Sequence, residues 1–231
     1  MPNVRTIGIS GPSCSGKTTV TRILQRLLPN SLVIYQDDFF KPDAQIPIDP
    51  KTQFANWDCP DALDFAKLKD TVNFVRENGS LPPEFQSNEI NNTHDGSGLL
   101  AEDTFQQLLA MVSKWDQRDS TFLIVDGFML YWDETVYQDL ECRVFITASY
   151  DVLKTRREAR QGYATKEGYW QDPPGYFDAI VWPEYVKWNK HLLDNDESIH
   201  NVVENVLVLD TTKTSIEETA NRTIQKLLDT F

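Results

Sequence analysis

The chain has 231 residues, 40% of them hydrophobic and 11% aromatic, enough for one α/β domain with a substantial core and too apolar for a disordered segment. Its 35 Asp and Glu against 22 Lys and Arg leave a formal charge of −13, a field that repels polyphosphate backbones and argues against nucleic acid as a partner. Three cysteines, Cys14, Cys59 and Cys142, show no metal-ligand spacing, and their odd number suggests reduced thiols in a cytosolic or nuclear compartment.

Residues 4–9 read as a buried strand entering Gly11-Pro12-Ser13-Cys14-Ser15-Gly16-Lys17-Thr18, a complete G-x-x-x-x-G-K-[ST] loop. A helix over 17–28 leaves it, so strand, loop and helix follow in the order that a phosphate-binding loop requires; a chance Gly/Ser-rich turn does not account for that context. The main-chain amides of the run, and of Thr19 in the first helical turn, then point at phosphate oxygens. Lys17 reaches the β- and γ-phosphates and the Thr18 hydroxyl is a ligand for Mg²⁺. No apolar run approaches the roughly 18 residues of a membrane span, and the chain goes straight into strand and loop, so neither a membrane segment nor a signal peptide is expected.

A short strand over 32–36 follows, then a Pro-rich stretch over 41–60 too broken for a regular element. Residues 61–77 carry Leu63, Phe65, Leu68, Val72 and Val75 at helical spacing and close at Asn78-Gly79. Residues 80–98, rich in Pro, Asn and Gly, read as a mobile surface excursion. Helical character resumes over 99–115, and 121–125 is a strand ending at Asp126-Gly127. A fourth strand over 143–147, an Arg-rich helix over 150–160, a loop over 163–176, a helix over 185–193, a fifth strand over 206–209 and an amphipathic helix over 215–228 complete the order. Without an internal repeat, this alternation predicts a doubly wound, parallel five-stranded α/β sheet in a single domain spanning 1–231, with a lid near 155–176. Ligands then gather at the carboxyl ends of its strands.

Acids stand at two such ends. Asp126 closes an apolar strand as the metal-shell acid of a nucleotide site does, or it opens the turn at Gly127. Asp37 and Asp38 close the second strand, where a phosphoryl acceptor needs a carboxylate to orient its hydroxyl and take its proton. Asp37 is the candidate and Asp38 the fallback; the alternative is a pair of turn carboxylates capping a short helix through Phe39 and Phe40. Arg156, Arg157 and Arg160 concentrate positive charge within one turn and a half of an acidic protein, which fits a lid over phosphates; the alternative is a solvated helix face partnered by Glu158. Trp57 beside Asp58, and Gly162-Tyr163, read either as a staple onto the next helix, normally the commoner explanation, or as a stacking face with an acceptor for ribose hydroxyls.

Taken together, GPSCSGKTT, YQDDFFKP, NWD-x-P-x-ALDF, VDGF, RR-x-x-R-x-GY and DPPGYFD-x-x-VWP-x-Y resemble the eukaryotic nicotinamide riboside kinases, over roughly residues 5 to 215. The resemblance implies a P-loop kinase of the uridine kinase-like group with a helical lid. It implies transfer of the ATP γ-phosphate, with Mg²⁺ and with GTP as a second candidate donor, to the 5′-hydroxyl of nicotinamide riboside, with nicotinic acid riboside as a further substrate, in NAD salvage. Residue by residue, it places Asp37 near the 5′-hydroxyl and the metal, and Asp38, Phe39 and Phe40 beside the substrate. Trp57 stacks on the nicotinamide, Asp58 and Arg157 bind the ribose, and Tyr163 with Ala164 forms the opposite face. Arg156 and Arg160 face ATP, and Lys213, Thr214 and Ser215 lie near the adenine. Some members carry Glu at the position of Asp126. A nicotinamide ring in its riboside is a pyridinium cation, so two aromatic faces attract it by about 0.5–2 kcal/mol each. The rival readings are a pyrimidine riboside kinase and a nucleotide-dependent switch without an acceptor; against the switch, the chain lacks an N-K-x-D motif.

Overall fold

The structure, a computed structural model, describes residues 2–91, 96–115, 119–160, 162–165, 168–192 and 205–231, with the side chains at 90, 91, 163–165 and 169 outside that description. Its strands are β1 (Asn3–Ser10), β2 (Ser31–Tyr35), β3 (Ser120–Gly127), β4 (Cys142–Thr147), β5 (Tyr163–Thr165), β6 (Gly168–Trp170) and β7 (Val206–Asp210). β5 and β6 pair as a separate antiparallel hairpin; the other five form one sheet in the order β2-β3-β1-β4-β7, parallel throughout. The chain leaves β1 for β2 on one side and returns through β3 to β4 on the other. The topological switch therefore lies at the carboxyl ends of β1 and β3, where crossovers diverge and leave a crevice.

The helices are α1 (Lys17–Leu27), α2 (Phe65–Asn78), α3 (Glu102–Ser113), α4 (Glu134–Asp139), α5 (Tyr150–Glu158), α6 (Trp182–Trp188) and α7 (Ile216–Thr230). Alternate residues of β3 show why the sheet is covered on both faces. Phe122 and Ile124 pack with α1, α3 and α7 through Leu24, Leu108 and Ile224. Leu123 and Val125 pack on the other face with α2 through Leu68 and Val72, and with Tyr131 and Leu140. A third cluster, around Trp57, Tyr176, Phe177 and Ile180, stands beside the carboxyl ends of the strands.

Several elements depart from the sequence expectation for local reasons. α2 starts four residues late because Leu63 is extended and bridges to Phe40, leaving Asp64 to cap the helix by accepting from the Lys67 N–H at 3.0 Å. α3 starts at Glu102, after Gly96 and Gly98 take positive φ. α4 is too short to show a periodicity and is capped by Asp133. The stretch expected as a loop over 163–176 contains the β5–β6 hairpin. A π-turn over Phe177–Val181 runs directly into α6, with Pro183 tolerated in its first turn, so this helical segment begins before the expected 185.

The segment expected as a surface excursion is anchored where it is described. Arg22 of α1 pairs with Glu89 at 3.0 Å, Arg26 donates to the Gly96 carbonyl at 3.2 Å, and the Asn88 N–H donates to Asp38 at 2.7 Å. Residues 92–95 lie outside the described residues.

Candidate active site

At the end of β1 the chain turns through Gly11, whose φ of +140° suits glycine, and a Cβ there would stand 1.9 Å from the Ile146 carbonyl oxygen of β4. The loop thus seats directly on the sheet. Gly16, at φ +106°, turns the chain into α1 and leaves the first-turn amides of that helix at the crevice. Lys17 is buried and donates from Nζ to the Pro12 carbonyl at 3.0 Å, curled over its own loop. The Ser15 hydroxyl is buried inside the loop without a hydrogen-bond partner among the described residues. Arg156 lies against the outside of the loop, donating to the Cys14 carbonyl at 3.3 Å and to Thr211 at 3.2 Å.

A cavity of about 380 Å³ opens in front of this loop. Ser13, Cys14, Gly16, Lys17, Thr18 and Thr19 line its floor. Asp37, Asp38 and Asp126 line it from the ends of β2 and β3, Phe40, Trp57, Asp58 and Arg157 line the far end, and Arg160, which acts on Asp37, lines it as well. Segments as distant as residues 13 and 160 therefore share one space.

The three acids differ in surroundings. Asp126 is 4% exposed; burial pushes its carboxyl up to about 6, against the pull of Lys17 and of hydrogen bonds from Thr18 and Thr21, the latter at 3.0 Å. Asp37 is likewise raised by burial, with Lys17, Arg160 and Arg157 opposing. Asp38 turns away: it accepts from Asn88 and Ser87, its Oδ2 is buried without a partner, and burial raises it to about 6. Of the adjacent pair, Asp37 is the one surrounded by the cationic groups of the crevice.

These residues fit a hard divalent cation. Thr18, Asp37 and Asp126 offer oxygen donors only, and Asp37 raises the proton affinity of Asp126, a cost that a bound cation would relieve. Mg²⁺ takes one or two carboxylates and completes its shell with phosphates and water, which this donor set would allow.

At the far end the walls are aromatic. Phe40 meets Trp57 edge-on with ring centroids 5.3 Å apart, and Phe40 stacks on Phe128 at 5.8 Å. Trp57 faces Trp170 of β6 at 5.7 Å, tilted by 53°. The Tyr176 hydroxyl accepts from the Trp57 N–H at 3.2 Å and donates to the Ala55 carbonyl at 2.9 Å, so the backbone under Trp57 is fixed. Asp58 is raised by burial to about 6, with Arg157 pulling it down and Asp172 pushing it up.

Some expected residues stand elsewhere. Phe39 is fully buried against Phe85, beneath the cavity rather than in it. Lys213, Thr214 and Ser215 do not line the cavity: Lys213 pairs with Asp210 at 3.2 Å, the Thr214 hydroxyl bonds Asp210 and Thr219, and Ser215 caps α7. Gly11 and Pro12 shape the loop without facing the cavity. The side chains of Tyr163 and Ala164 lie outside the described structure. Sequence reasoning missed Arg22, Tyr35, Asn88, Glu89, Phe128 and Trp170, all lining the cavity. A signal existed for Phe128, next to Asp126-Gly127, and for Trp170, at the end of a Gly-Tyr-Trp run; Asn88 and Glu89 carry no local mark.

The chain matches a family model described as an AAA domain over residues 7–170, the part holding the phosphate loop and Asp126. It is 34% identical to a nicotinamide riboside kinase of Schizosaccharomyces pombe over 96% of this chain and 96% of that protein. A nicotinamide riboside kinase of Eremothecium gossypii is 34% identical over 82% of this chain and 77% of its own. Nicotinamide riboside kinase 2 of Homo sapiens is 32% identical over 82% of this chain and 69% of its own.

Proposed function

The chain belongs to the nicotinamide riboside kinases, and on that premise we propose that its cavity phosphorylates the 5′-hydroxyl of nicotinamide riboside, and of nicotinic acid riboside, with ATP as donor. The observation that carries this reading is the sharing of one cavity by the phosphate loop, an acid at a strand end and paired Trp rings. Amides of the loop hold the triphosphate, and Lys17 turns from the Pro12 carbonyl to its β- and γ-oxygens. Asp37 accepts a hydrogen bond from the riboside hydroxyl, fixes its direction and takes its proton as the new O–P bond forms and the bond to the leaving ADP oxygen breaks. Thr18, Asp126 and Asp37 would hold Mg²⁺, which neutralises charge on the phosphates. Arg160, and Arg156 beside the loop, close over them. Trp57 and Trp170 take the pyridinium ring, Trp170 in the place first given to Tyr163, and Asp58 with Arg157 meets the ribose hydroxyls.

A coupled kinase assay across nicotinamide riboside, nicotinic acid riboside, uridine and cytidine, with ATP and GTP as donors, tests the reading. Turnover of the pyridine ribosides above the pyrimidine ones is expected. Preference for uridine would replace it with the pyrimidine kinase reading, and nucleotide hydrolysis indifferent to every riboside would replace it with the switch.

A further inference from the structure

One carboxylate outside the cavity lining holds two of the cavity's walls. Asp172 accepts from Arg157 in a two-pronged pair, Nε to Oδ2 at 2.6 Å and a terminal nitrogen to Oδ1 at 3.0 Å. The same Oδ1 accepts the indole N–H of Trp170 at 2.9 Å. Arg157 is 6% exposed, so this pair forms largely out of water, where geometry and charge both count. Arg157 also lies over the Tyr176 ring, at 5.9 Å from its centroid, and Tyr176 fixes the backbone of Trp57.

The charges at this end can be followed one by one. Lys17 and Arg160 both act on Asp37, and Arg22 is paired with Glu89. Around the Trp57–Trp170 pair Asp58 feels Arg157, which pulls its carboxyl down, and Asp172, Asp37 and Glu184, which push it up. With Arg157 held by Asp172, acids outnumber the one cation acting on Asp58, and the ring end of the cavity is net negative. Such a pocket attracts a pyridinium ring with a neutral amide and gives less to a ring whose own carboxylate cancels its positive charge.

We infer that Asp172 is a positioning and specificity-determining residue: by holding Arg157 and Trp170 together it keeps the ring end negative and favours nicotinamide riboside over nicotinic acid riboside. This rests on the proposed riboside kinase reading. It acts through its two partners and touches no substrate.

The test measures kcat and KM for both ribosides in the wild type, Asp172→Asn, Asp172→Glu and Arg157→Gln. Asp172→Asn keeps an acceptor for Trp170 and releases the charge of Arg157. It should move the kcat/KM ratio about tenfold toward nicotinic acid riboside, chiefly through KM. Asp172→Glu should restore most of the wild-type ratio. Arg157→Gln should move the ratio the opposite way, toward nicotinamide riboside, and decides the matter alone if Asp172→Asn does not fold. An equal loss for both ribosides, or an unmoved ratio in either charge variant, overturns the inference. A wild type that phosphorylates neither riboside overturns the functional reading instead, so the two failures are distinct.

Discussion

The two ends of the cavity are built on different principles. The phosphate end comes from one unbroken stretch, Ser10 to Thr19, from the end of β1 into α1, and in the proposed reading its recognition groups are main-chain amides. The ring end is assembled from Phe40, Trp57, Asp58, Phe128, Arg157 and Trp170, carried on separate segments and meeting only in the fold. Phosphate can be gripped by backbone alone, because each peptide supplies a donor and a helix terminus supplies several. A flat cationic ring needs side-chain faces at set distances, and no short stretch can supply two of them. A loop motif therefore identifies the chemistry, while the ring end identifies the substrate.

Asp37 stands at the seam, and the largest expected effect tests to which end it belongs. Asp37→Ala should lower kcat by about 10²–10⁴-fold while leaving riboside KM within a few fold, because an acid that orients the hydroxyl and takes its proton acts in the transition state. Steady-state kinetics with saturating ATP measures this. A variant that loses riboside binding and keeps kcat would move Asp37 to the ring end and leave the hydroxyl without a base.

The same contrast governs what could be read from the chain. The phosphate end and the five-strand sheet were legible because their signals are local: apolar runs over 121–125 and 143–147 fill strands buried on both faces. Asp37 and Asp126 were expected at strand ends, and the structure brings both into the cavity. Trp57 and Asp58 were visible as residues but undecidable as a site, since a Trp beside a helix start is more often a staple. The resemblance supplied their roles. Trp170 was lost because its hairpin was expected as loop, and a three-residue strand leaves no periodicity. Asp172 was lost because only the fold brings its carboxylate to Arg157, fifteen residues away. Asn88 and Glu89 reach the cavity through tertiary anchors on Arg22 and Asp38, which no sequence window contains.

The ring end also predicts a pH signature in the ligand-free protein. Burial lifts the Asp58 carboxyl from its ordinary 3.8 to about 6, so the folded chain holds that proton more tightly than the unfolded chain does. Its contribution to stability is fully present below about pH 4 and is lost as pH rises through about 6, amounting to at most about 3 kcal/mol. Asp58→Asn removes the ionisation. Relative to wild type, the variant should gain stability between pH 4 and pH 7, as read by urea unfolding at the two values. Equal differences at both pH values would mean that Asp58 is already charged at low cost, and the ring end would then be held by solvent rather than by a buried acid.

The smallest effect separates ring stacking from ring charge. Trp57 is 7% exposed and braced by Phe40, Trp170 and the Tyr176 hydroxyl, so its face is set before any ligand arrives. Trp57→Ala removes stacking area for any flat ring, but it removes the attraction of the indole quadrupole only for a cation. The loss for nicotinamide riboside should therefore exceed that for a riboside with an uncharged ring by about 0.5–2 kcal/mol, the range of a cation–π contact between exposed and desolvated sites. Binding titrations of both ligands to wild type and Trp57→Ala give that difference directly, and Trp57→Phe should recover part of it, since benzene attracts a cation less than indole does. Equal losses for the two ligands would leave Trp57 as a wall that excludes water, and the preference for a cation would then rest on the carboxylate of Asp58 alone.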